Sequence, residues 1–381
     1  MRTARIILSC ATLFVFAITC TAQAPSHSTK DSAPPAILEI HLSDLGYQPV
    51  PETKYPGNGI PRDLSILNDD YKKRLTFIDD KMLVVYQSHY PPQAEKGGSS
   101  ESRSMEAFFL SAQTGALISR KSWPTIQRRW LNERWDTQAR IMAVQGGFLV
   151  HASDSLSLYS AETGPKGKLA LEGGPRWAVT VAPLGHTIHL QRIQDDNQAE
   201  GEWLDSDTLA KLRTQHETAG VTSASDHAVV NKLAHCVQLE AVGETPHSLY
   251  CADPPHLGLP LFLSDSEVLS VYGKGFAVFS TSGKKQWGRE VPDGRPVANH
   301  KRSLNGNRFA ILIRGRVIFD GVDVAEEQSA ILVYDVSART QVFHLTLRRV
   351  SGPIDFDLSS DGSAVAVLVG ETVRLYKIPS L

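Results

Sequence analysis

The stretch FFLSAQTG at residues 108–115 recurs along this 381-residue chain in recognisable variants, and the recurrence decides the fold. Each copy is an apolar run of strand character that ends in a short polar turn. A single strand–turn unit cannot bury its apolar face, so repeated units must stack on one another. The other copies are SLYSAETG at 157–164, EWLDSDT at 202–208, SLYCADP at 248–254, AVFSTSG at 277–283, ILVYDVSART at 331–340 and VRLYKIP from residue 373.

The spacing of the copies predicts the architecture. Their first residues are 108, 157, 202, 248, 277, 331 and 373, so the intervals are 49, 45, 46, 29, 54 and 42 residues. Four-stranded propeller blades repeat every ~40–45 residues. Each copy therefore predicts strand c of a blade, followed by a tight turn and strand d. The chain is predicted to be all-β, a β-propeller of seven four-stranded blades, although the unequal intervals leave six or eight blades open.

Strands a and b are predicted upstream of the copies, in segments that are rich in β-branched and aromatic residues and turn on polar ones. These segments are residues 74–87, 141–151, 177–192, 261–272 and 308–319. The last blade has only three candidate strands, at 354–358, 364–369 and 372–378.

The missing strand of the last blade is available near the other end of the sequence. The stretch ILEIHL at 37–42 precedes the first full blade and has no other partner. Pairing it with the last blade removes two open sheet edges at once. We therefore expect an N-terminal strand to close the ring.

The turns carry a local signature of their own. Gly115, Gly164 and Gly283 are placed where a tight c–d hairpin needs a positive φ. Asp205 and Asp335 suit the same turns, because an Asp side chain can accept hydrogen bonds from nearby backbone amides.

One turn also supports a resemblance to known proteins. The stretch FSTSGKKQW at 279–287 resembles the repeat of quinoprotein-like propellers, which places a Trp four residues after the turn Gly. This resemblance implies the quinoprotein-like or WD40-like β-propeller superfamily. It does not imply quinone-dependent dehydrogenase activity, because the adjacent-cysteine pair and the regular docking Trp are absent from the sequence. No cofactor is therefore expected.

The N-terminus predicts export. Arg2 and Arg5 precede an apolar run at 6–18 and a series of small residues, the pattern of a secretory signal peptide. We predict a signal peptide at 1–22, a flexible linker at 23–36 and a single propeller domain at 37–381, in the periplasm or outside the cell. Cleavage after residue 24, or a lipid anchor on Cys20, are the alternatives. The apolar run is too short to span a membrane, so no membrane span is predicted.

Removal of this peptide changes charge and cysteine content. The net charge of −2 becomes −4 when the two arginines are lost, which argues against nucleic acid as the main partner. Cys236 and Cys251 are then the only cysteines, an even pair that favours a disulfide in an exported protein. In an antiparallel pair of strands the residue numbers of facing partners have a constant sum. If Glu240 faces His247 across a hairpin, that sum is 487, and because 236 and 251 also add to 487, the two cysteines are predicted to lie directly opposite each other. Two buried free thiols are the alternative.

Candidate binding residues lie on the face formed by the b–c and d–a connections, where the long connections at 89–104, 194–201 and 320–329 are predicted. The d–a segment at 120–140 is rich in Arg and Trp, which suit forked hydrogen bonds and cation–π contacts. Its alternative role is to wedge Trp rings between blades. The acidic loops lack the spacing of a metal motif, and no metal site is predicted. The candidate residues are His89, Tyr90, Arg128, Arg129, Trp130, Arg134 and Trp135.

Two functional classes remain open. The first is a monomeric binding or scaffold module of the cell envelope that holds a protein, peptide or glycan on the b–c face. The second is a propeller hydrolase or lyase in which His, Asp and Arg side chains converge at the central channel. No local catalytic motif is present, which favours binding but leaves enzyme activity undecided, because propeller enzymes assemble their sites from several blades.

Overall fold

The computed structural model describes a ring of antiparallel sheets. The described residues are 34–47, 73–89, 100–128, 139–152, 154–171, 177–193, 198–233, 235–251, 257–291, 294–320, 323–348, 350 and 354–381. Within them, the strands form seven four-stranded sheets and one two-stranded sheet. The chain is therefore a seven-bladed β-propeller, as predicted. The predicted signal peptide and all of the linker except residues 34–36 lie outside the described residues.

The first strand, β1 (Leu38–His41), is followed by a 3-10 turn (Leu42–Leu45) and belongs to the last blade. Blades 1 to 3 then follow in chain order. Blade 1 contains β2 (Arg74–Phe77), β3 (Met82–His89), β4 (Ser100–Ser111) and β5 (Leu117–Arg128). Blade 2 contains β6 (Ala139–Val144), β7 (Gly147–Ala152), β8 (Ser155–Ser160) and β9 (Pro165–Ala170). Blade 3 contains β10 (Trp177–Val181), a 3-10 turn (Pro183–Gly185), β11 (Thr187–Ile193), β12 (Gln198–Asp205) and β13 (Lys211–Thr218).

Blades 4 to 7 complete the ring. Blade 4 contains β14 (Val221–Ala224), β15 (Ala228–Leu233), β16 (Cys236–Ala241) and β17 (His247–Cys251). Blade 5 contains β18 (Leu261–Ser264), β19 (Glu267–Tyr272), β20 (Gly275–Ser280) and β21 (Lys285–Glu290). Blade 6 contains β22 (Val297–Arg302), β23 (Arg308–Ile313), the inserted pair β24 (Arg316–Asp320) and β25 (Asp323–Glu327), β26 (Ser329–Asp335) and β27 (Thr340–Leu347). Blade 7 contains β28 (Ile354–Leu358), β29 (Ala364–Val369), β30 (Thr372–Lys377) and β1.

The first strands of the blades lie on the inside of the ring, because they contact one another at six of the seven junctions between neighbouring blades. Between the blades lie seven clusters of buried apolar side chains, one at each junction. The alternation of the strands therefore buries both faces of each blade, as a stacked repeat requires. Among the described residues, six clusters are large, whereas the apolar cluster at the junction of blades 3 and 4 consists of Trp203, Val221, Ala224 and Val229.

The predicted closure of the ring is confirmed. Strand β1 pairs antiparallel with β30, with Leu38 opposite Leu375 and Ile40 opposite Val373. Beyond the strand, the Tyr47 hydroxyl donates a hydrogen bond to the amide oxygen of Gln87 in blade 1. The N-terminal segment therefore fills the outer position of blade 7 and also contacts blade 1.

Two strand assignments made from the sequence are wrong. The fourth repeat, SLYCADP, belongs to the outer strand β17, and the third strand of blade 4 is β16. Counted between the last residues of successive third strands (Asp205, Ala241 and Ser280), the intervals are 36 and 39 residues, which removes the anomalous short interval. The outer strand was taken for the third strand because its SLY run has the apolar pattern of a third strand.

The second error concerns blade 6. Residues 308–319 are not its first two strands: β23 is the second strand, and β24 pairs only with β25 in a separate hairpin. The first strand is β22, whose sequence VANHKR is too polar to be recognised by apolar content. The inserted hairpin also explains the long interval before the sixth repeat.

The c–d turns use a residue in the left-handed region, as predicted, at Gly115 (φ 72°) and Gly283 (φ 82°). In blade 2 the prediction that Gly164 has a positive φ is wrong by one position. There Thr163 has φ 66°, and the following Gly164 is not in the left-handed region. As expected, Asp205 Oδ1 accepts backbone hydrogen bonds from the N–H groups of residues 207 and 208, at 3.1 and 2.9 Å.

The two cysteines lie directly opposite each other on β16 and β17, with their sulfur atoms 2.08 Å apart, a disulfide distance, and their Cα atoms 4.0 Å apart. The assumed register at the loop is wrong, because Leu239 and not Glu240 faces His247. A bulge between Val237 and Gln238 shifts the ladder by one residue. On the cysteine side of the bulge, the residue numbers of facing partners still add to 487, so Cys236 faces Cys251 as predicted.

Candidate functional site

Most of the predicted binding residues lie outside the described part of the chain. Tyr90, Arg129, Trp130, Arg134 and Trp135 fall in segments that are not described. The remaining two are strand ends: His89 is the last residue of β3, and Arg128 is the last residue of β5. Their backbone pairs with β4, at Ser104 and Ser100 respectively, on the b–c face.

Trp123, in the same Arg- and Trp-rich segment, is a wedge between blades 1 and 2. Its ring is buried and packs edge-on against Phe109 and Tyr159. The indole N–H donates a hydrogen bond to the Tyr159 hydroxyl at 2.8 Å. For this Trp the structural interpretation is confirmed, so it does not belong to a recognition surface.

The central channel brings charged side chains from three blades together. The ammonium group of Lys301, on β22, lies 3.0 Å from Asp355 Oδ1 on β28, and donates a hydrogen bond to the Leu75 carbonyl on β2 at 3.0 Å. Burial opposes the charged ammonium, but Asp355 and Asp357 raise the pKa of Lys301 above its usual range. Lys301 thus holds a positive charge at the point where blades 6, 7 and 1 meet.

The two carboxylates of β28 also connect blades. Asp355 Oδ2 accepts the backbone N–H of Leu75 at 2.7 Å, and Asp357 Oδ2 accepts that of Phe77 at 2.9 Å. Burial raises the pKa of Asp357 to about 6, against the attraction of Lys301. Strand β2 pairs with β3 on one side only, so the backbone N–H groups on its inner edge have no partner strand. The two carboxylates accept hydrogen bonds from N–H groups on this edge.

On the face of the a–b turns, blades 3 and 6 meet across the ring. The guanidinium of Arg302 donates hydrogen bonds to the Val181 carbonyl at 2.9 Å and the Leu304 carbonyl at 3.1 Å. The backbone N–H of Leu184, which has a φ of 67°, donates to the same Leu304 carbonyl at 2.7 Å. Burial lowers the pKa of Arg302 to about 10. We call this contact the floor of the channel, because it bridges the ring on that face.

The opposite face, formed by the b–c and d–a connections, is more elaborate. In blade 1, β3 ends at His89, which faces Ser104 of β4. Beyond Ser104, β4 and β5 continue as a two-stranded hairpin for four more residue pairs. In blade 6 the hairpin of β24 and β25 is inserted between the second and third strands. Both features lie beside blade 7, which is the neighbour of blades 1 and 6.

The base of the inserted hairpin is held by specific contacts. Arg295 donates a hydrogen bond to the Gln328 carbonyl, and Gln328 has a φ of 59°. The Arg314 N–H donates to the Pro296 carbonyl at 3.1 Å, and the Gly315 N–H donates to Ser329 Oγ at 2.9 Å. These contacts hold the two ends of the hairpin next to each other and to residues 295–296.

A buried polar network at the junction of blades 3 and 4 was not predicted. His189 Nε2 lies 2.9 Å from Glu217 Oε1, and the side-chain amide of Gln191 donates to Glu217 Oε2 at 3.0 Å. A Cβ at Gly201 would lie 2.0 Å from the Glu217 carboxylate, so only Gly leaves room for it. This network lies beside the small apolar cluster of this junction and reaches blade 4 through the Val221 N–H, which donates to Gln191 Oε1 at 3.0 Å. Its sequence signal is a Gly in the middle of a strand.

The channel contains the kind of charged cluster that the enzyme interpretation expected, and the contacts of Lys301, Asp355 and Asp357 named above join one blade to another. Among the described residues, no group of three His, Cys, Asp or Glu side chains is arranged to hold a metal ion. In the same part of the chain, no helix is both long and apolar enough to cross a membrane.

No protein-family model matches this chain, and no curated protein matches it. Solved propellers resemble it. The WD40 domain of Pan2 from Neurospora crassa superposes with a TM-score of 0.51 at 11% identity, covering 86% of this chain and 94% of that one. The C-terminal WD40 domain of Sif2 gives a TM-score of 0.47 at 12% identity, covering 82% and 98%. At 11% identity the likeness to the Pan2 domain shows the fold alone, a β-propeller.

Proposed function

We propose that this protein is an exported β-propeller that holds a protein or peptide partner on its b–c face, as a binding or scaffold module of the cell envelope. The observation that carries the proposal is the difference between the two faces of the ring. One face is bridged by the floor of the channel and has short turns, whereas the other carries the extended hairpin of blade 1 and the inserted hairpin of blade 6. Insertions on a rigid scaffold are where binding is usually located.

The proposed location rests on two further features. The N-terminal sequence has the order of a secretory signal, with a basic start, an apolar run and small residues. Cys236 and Cys251 lie at disulfide distance, and such bonds persist mainly in oxidising compartments. Both features favour the periplasm or the extracellular space.

Site-specific photo-crosslinking tests the binding face. A photoreactive amino acid is placed at Gln328 and at Arg348, two exposed positions on the b–c face, in the organism that encodes the protein. Matched controls are Gln113 and Ser282, exposed positions in c–d turns. We expect discrete adducts of the same mass from the first pair only, recovered from the periplasmic or extracellular fraction.

Adducts from the control positions alone, or equal adducts from both faces, would contradict the proposed face. Recovery of the protein in the cytoplasm with residues 1–22 still attached would contradict export. The role of the Arg- and Trp-rich segment is tested in the same cells. Replacing Trp130 and Trp135 by Ala should remove the adducts without changing the melting temperature, whereas Trp123→Ala should cost roughly 3 kcal/mol of stability, as large-to-small core changes do.

A further inference from the structure

The outer strand of blade 6, β27, differs from the other long outer strands in composition. It has eight residues, TQVFHLTL, and contains no Lys, Arg, Asp, Glu or Pro. Proteins usually protect the free edge of a sheet with such residues, because its unpaired N–H and C=O groups can pair with another chain. The outer strands β1 and β17 are only four and five residues long. Each of the remaining outer strands carries at least two Lys, Arg or Pro residues: β5, β9, β13 and β21.

The outer edge of β27 is free over its whole length. The strand pairs with β26 on one side and has no strand on the other. Among the described residues, no backbone–backbone hydrogen bond joins residues 340–347 to anything except β26. The ladder has one bulge, near the c–d turn, and is regular from Phe343 to Leu347. Phe343, Leu345 and Leu347 are buried between blades 6 and 7, so packing holds the strand in place while its edge stays open.

An arginine flanks this uncharged edge at each end. Arg339 precedes β27 in the c–d turn, Arg348 follows it on the b–c face, and both side chains are exposed. The Arg339 carbonyl accepts a hydrogen bond from the guanidinium of Arg289 in blade 5 at 3.1 Å, which holds the first end in place. The nearest carboxylate along the chain, Asp335, is already engaged, because it accepts the backbone N–H of residue 338 at 2.9 Å and lies 3.7 Å from Arg308.

The two arginines decide which chain this edge fits. Facing partners in an antiparallel pair have a constant sum of residue numbers. If two copies of β27 paired over their full length, with 340 opposite 347, Arg339 of each copy would face Arg348 of the other. Like charges directly opposite each other are destabilising, so the flanking arginines oppose pairing of the chain with itself. A different strand with a carboxylate at each end, about nine residues apart, would instead meet an arginine at both ends.

We propose that the outer edge of β27 binds an extended segment of the partner as an added antiparallel strand, with an uncharged middle and an acidic residue at each end. In this mode of recognition the main-chain hydrogen bonds supply affinity. The two arginines then select the segment by its charge and fix its register. This inference rests on the function proposed above for the existence of a partner, and it adds the form in which that partner binds.

The test measures binding of a fluorescein-labelled peptide to residues 23–381 by fluorescence anisotropy. The probe has Glu at both ends and four Thr-Val repeats between them. One control probe has Lys at both ends, and a second has Pro in place of two Val residues, which removes the N–H donors that a ladder needs. The test variant combines Arg339→Glu with Arg348→Glu. The control variant combines Lys168→Glu with Lys285→Glu, the same charge changes at exposed positions on the outer strands β9 and β21. Melting temperatures of both variants confirm that they fold.

We expect the Glu-ended probe to bind the parent and the control variant with affinities within about twofold, and the test variant about tenfold more weakly, because each reversal turns an attraction into a repulsion. The Lys-ended probe should show the opposite preference. Bound probe should slow hydrogen–deuterium exchange in residues 340–347 and leave β13, the other eight-residue outer strand, unchanged.

The proposal is overturned if the Glu-ended probe does not bind, if both variants weaken it equally, or if the Pro-containing probe binds as well. A parent that sediments as a dimer, with slow exchange in residues 340–347 before any probe is added, overturns the peptide assignment in favour of a second copy of the chain. None of these results depends on a cellular partner, so failure here leaves the crosslinking test of the binding face unaffected.

Discussion

The carboxylate of Asp357 accepts the backbone N–H of Phe77 at 2.9 Å, a contact that joins the innermost strands of the last and first blades. Its pKa of about 6 in the folded protein exceeds the ordinary 3.8, so the folded state binds more protons between these values. Stability from this group is therefore present at low pH and lost as pH rises to about 6. The Asn side chain cannot ionise, so the Asp357→Asn variant does not lose this stability. We therefore expect the unfolding free energy of Asp357→Asn, relative to that of the parent, to increase by on the order of 2 kcal/mol between pH 4 and pH 7.

His300 titrates with the opposite sign. Its pKa of about 4 lies below the ordinary 6.5, so the unfolded state binds more protons and stability rises as pH increases from about 4 to 6.5. In the parent the two effects oppose each other. Denaturant unfolding at several pH values should show stability falling with pH in His300→Gln and rising in Asp357→Asn. Parallel pH profiles for the parent and both variants would contradict both assignments.

Deletion of the closing strand should open the ring. Removing residues 23–44 takes away β1 and most of the following 3-10 turn, with the buried side chains of Ile40 and Leu42, and leaves β30 with a free edge. We expect a loss of several kcal/mol, measured as a lower melting temperature. The matched control removes only residues 23–33, which precede the described part of the ring. A variant without 23–44 that melts within ~2 °C of the parent would show that closure contributes little.

The c–d turns offer a stabilising change. Thr163 and Arg339 have φ values of 66° and 55°, a region that costs a residue with a side chain more than it costs Gly. We expect Thr163→Gly and Arg339→Gly each to gain about 0.5 kcal/mol, since relief of strain outweighs the added freedom of the unfolded chain. The opposite change, Gly115→Ala, should be destabilising, because its Cβ would lie 3.0 Å from the Ile40 side chain at a φ of 72°. Melting temperatures in the reverse order would refute the strain argument.

The cysteine pair is tested by mass. If the protein is exported as proposed, material recovered from the periplasmic or extracellular fraction and alkylated without reduction should carry no label on Cys236 or Cys251. The loop between them spans 15 residues, for which the chain-entropy model gives roughly 3 kcal/mol of stabilisation. We expect the double Ser variant to lose about that amount in denaturant unfolding. Two labelled thiols in the secreted protein would exclude the bond.

Local sequence patterns predicted the parts of this fold that depend on local chemistry. The turn at Asp205, the pairing of Cys236 with Cys251 and the closing strand each follow from residues that are close in sequence or from a simple count of strands. The error in blade 4 arose because an outer strand can be as apolar as a third strand, and periodicity alone does not separate them.

The channel could not be predicted in the same way. Lys301, Leu75 and Asp355 meet only because the ring brings blades 6, 1 and 7 together, and Lys301 and Leu75 are 226 residues apart. The one available signal was the polarity of β22, a strand with four consecutive polar residues at 299–302. Polar residues on an inner strand indicate a channel, but the repeat pattern selected strands by apolar content and passed over it.

Closure by an N-terminal strand also fixes the order of events during synthesis. Strand β1 is made first, but its partner β30 is complete only at Lys377. At roughly 5–20 residues per second the ribosome needs tens of seconds to make the intervening chain. During this time the earliest strand has no native partner and blade 7 does not exist. The ring is therefore a post-translational product, and its first strand must be kept from pairing elsewhere until the last one arrives.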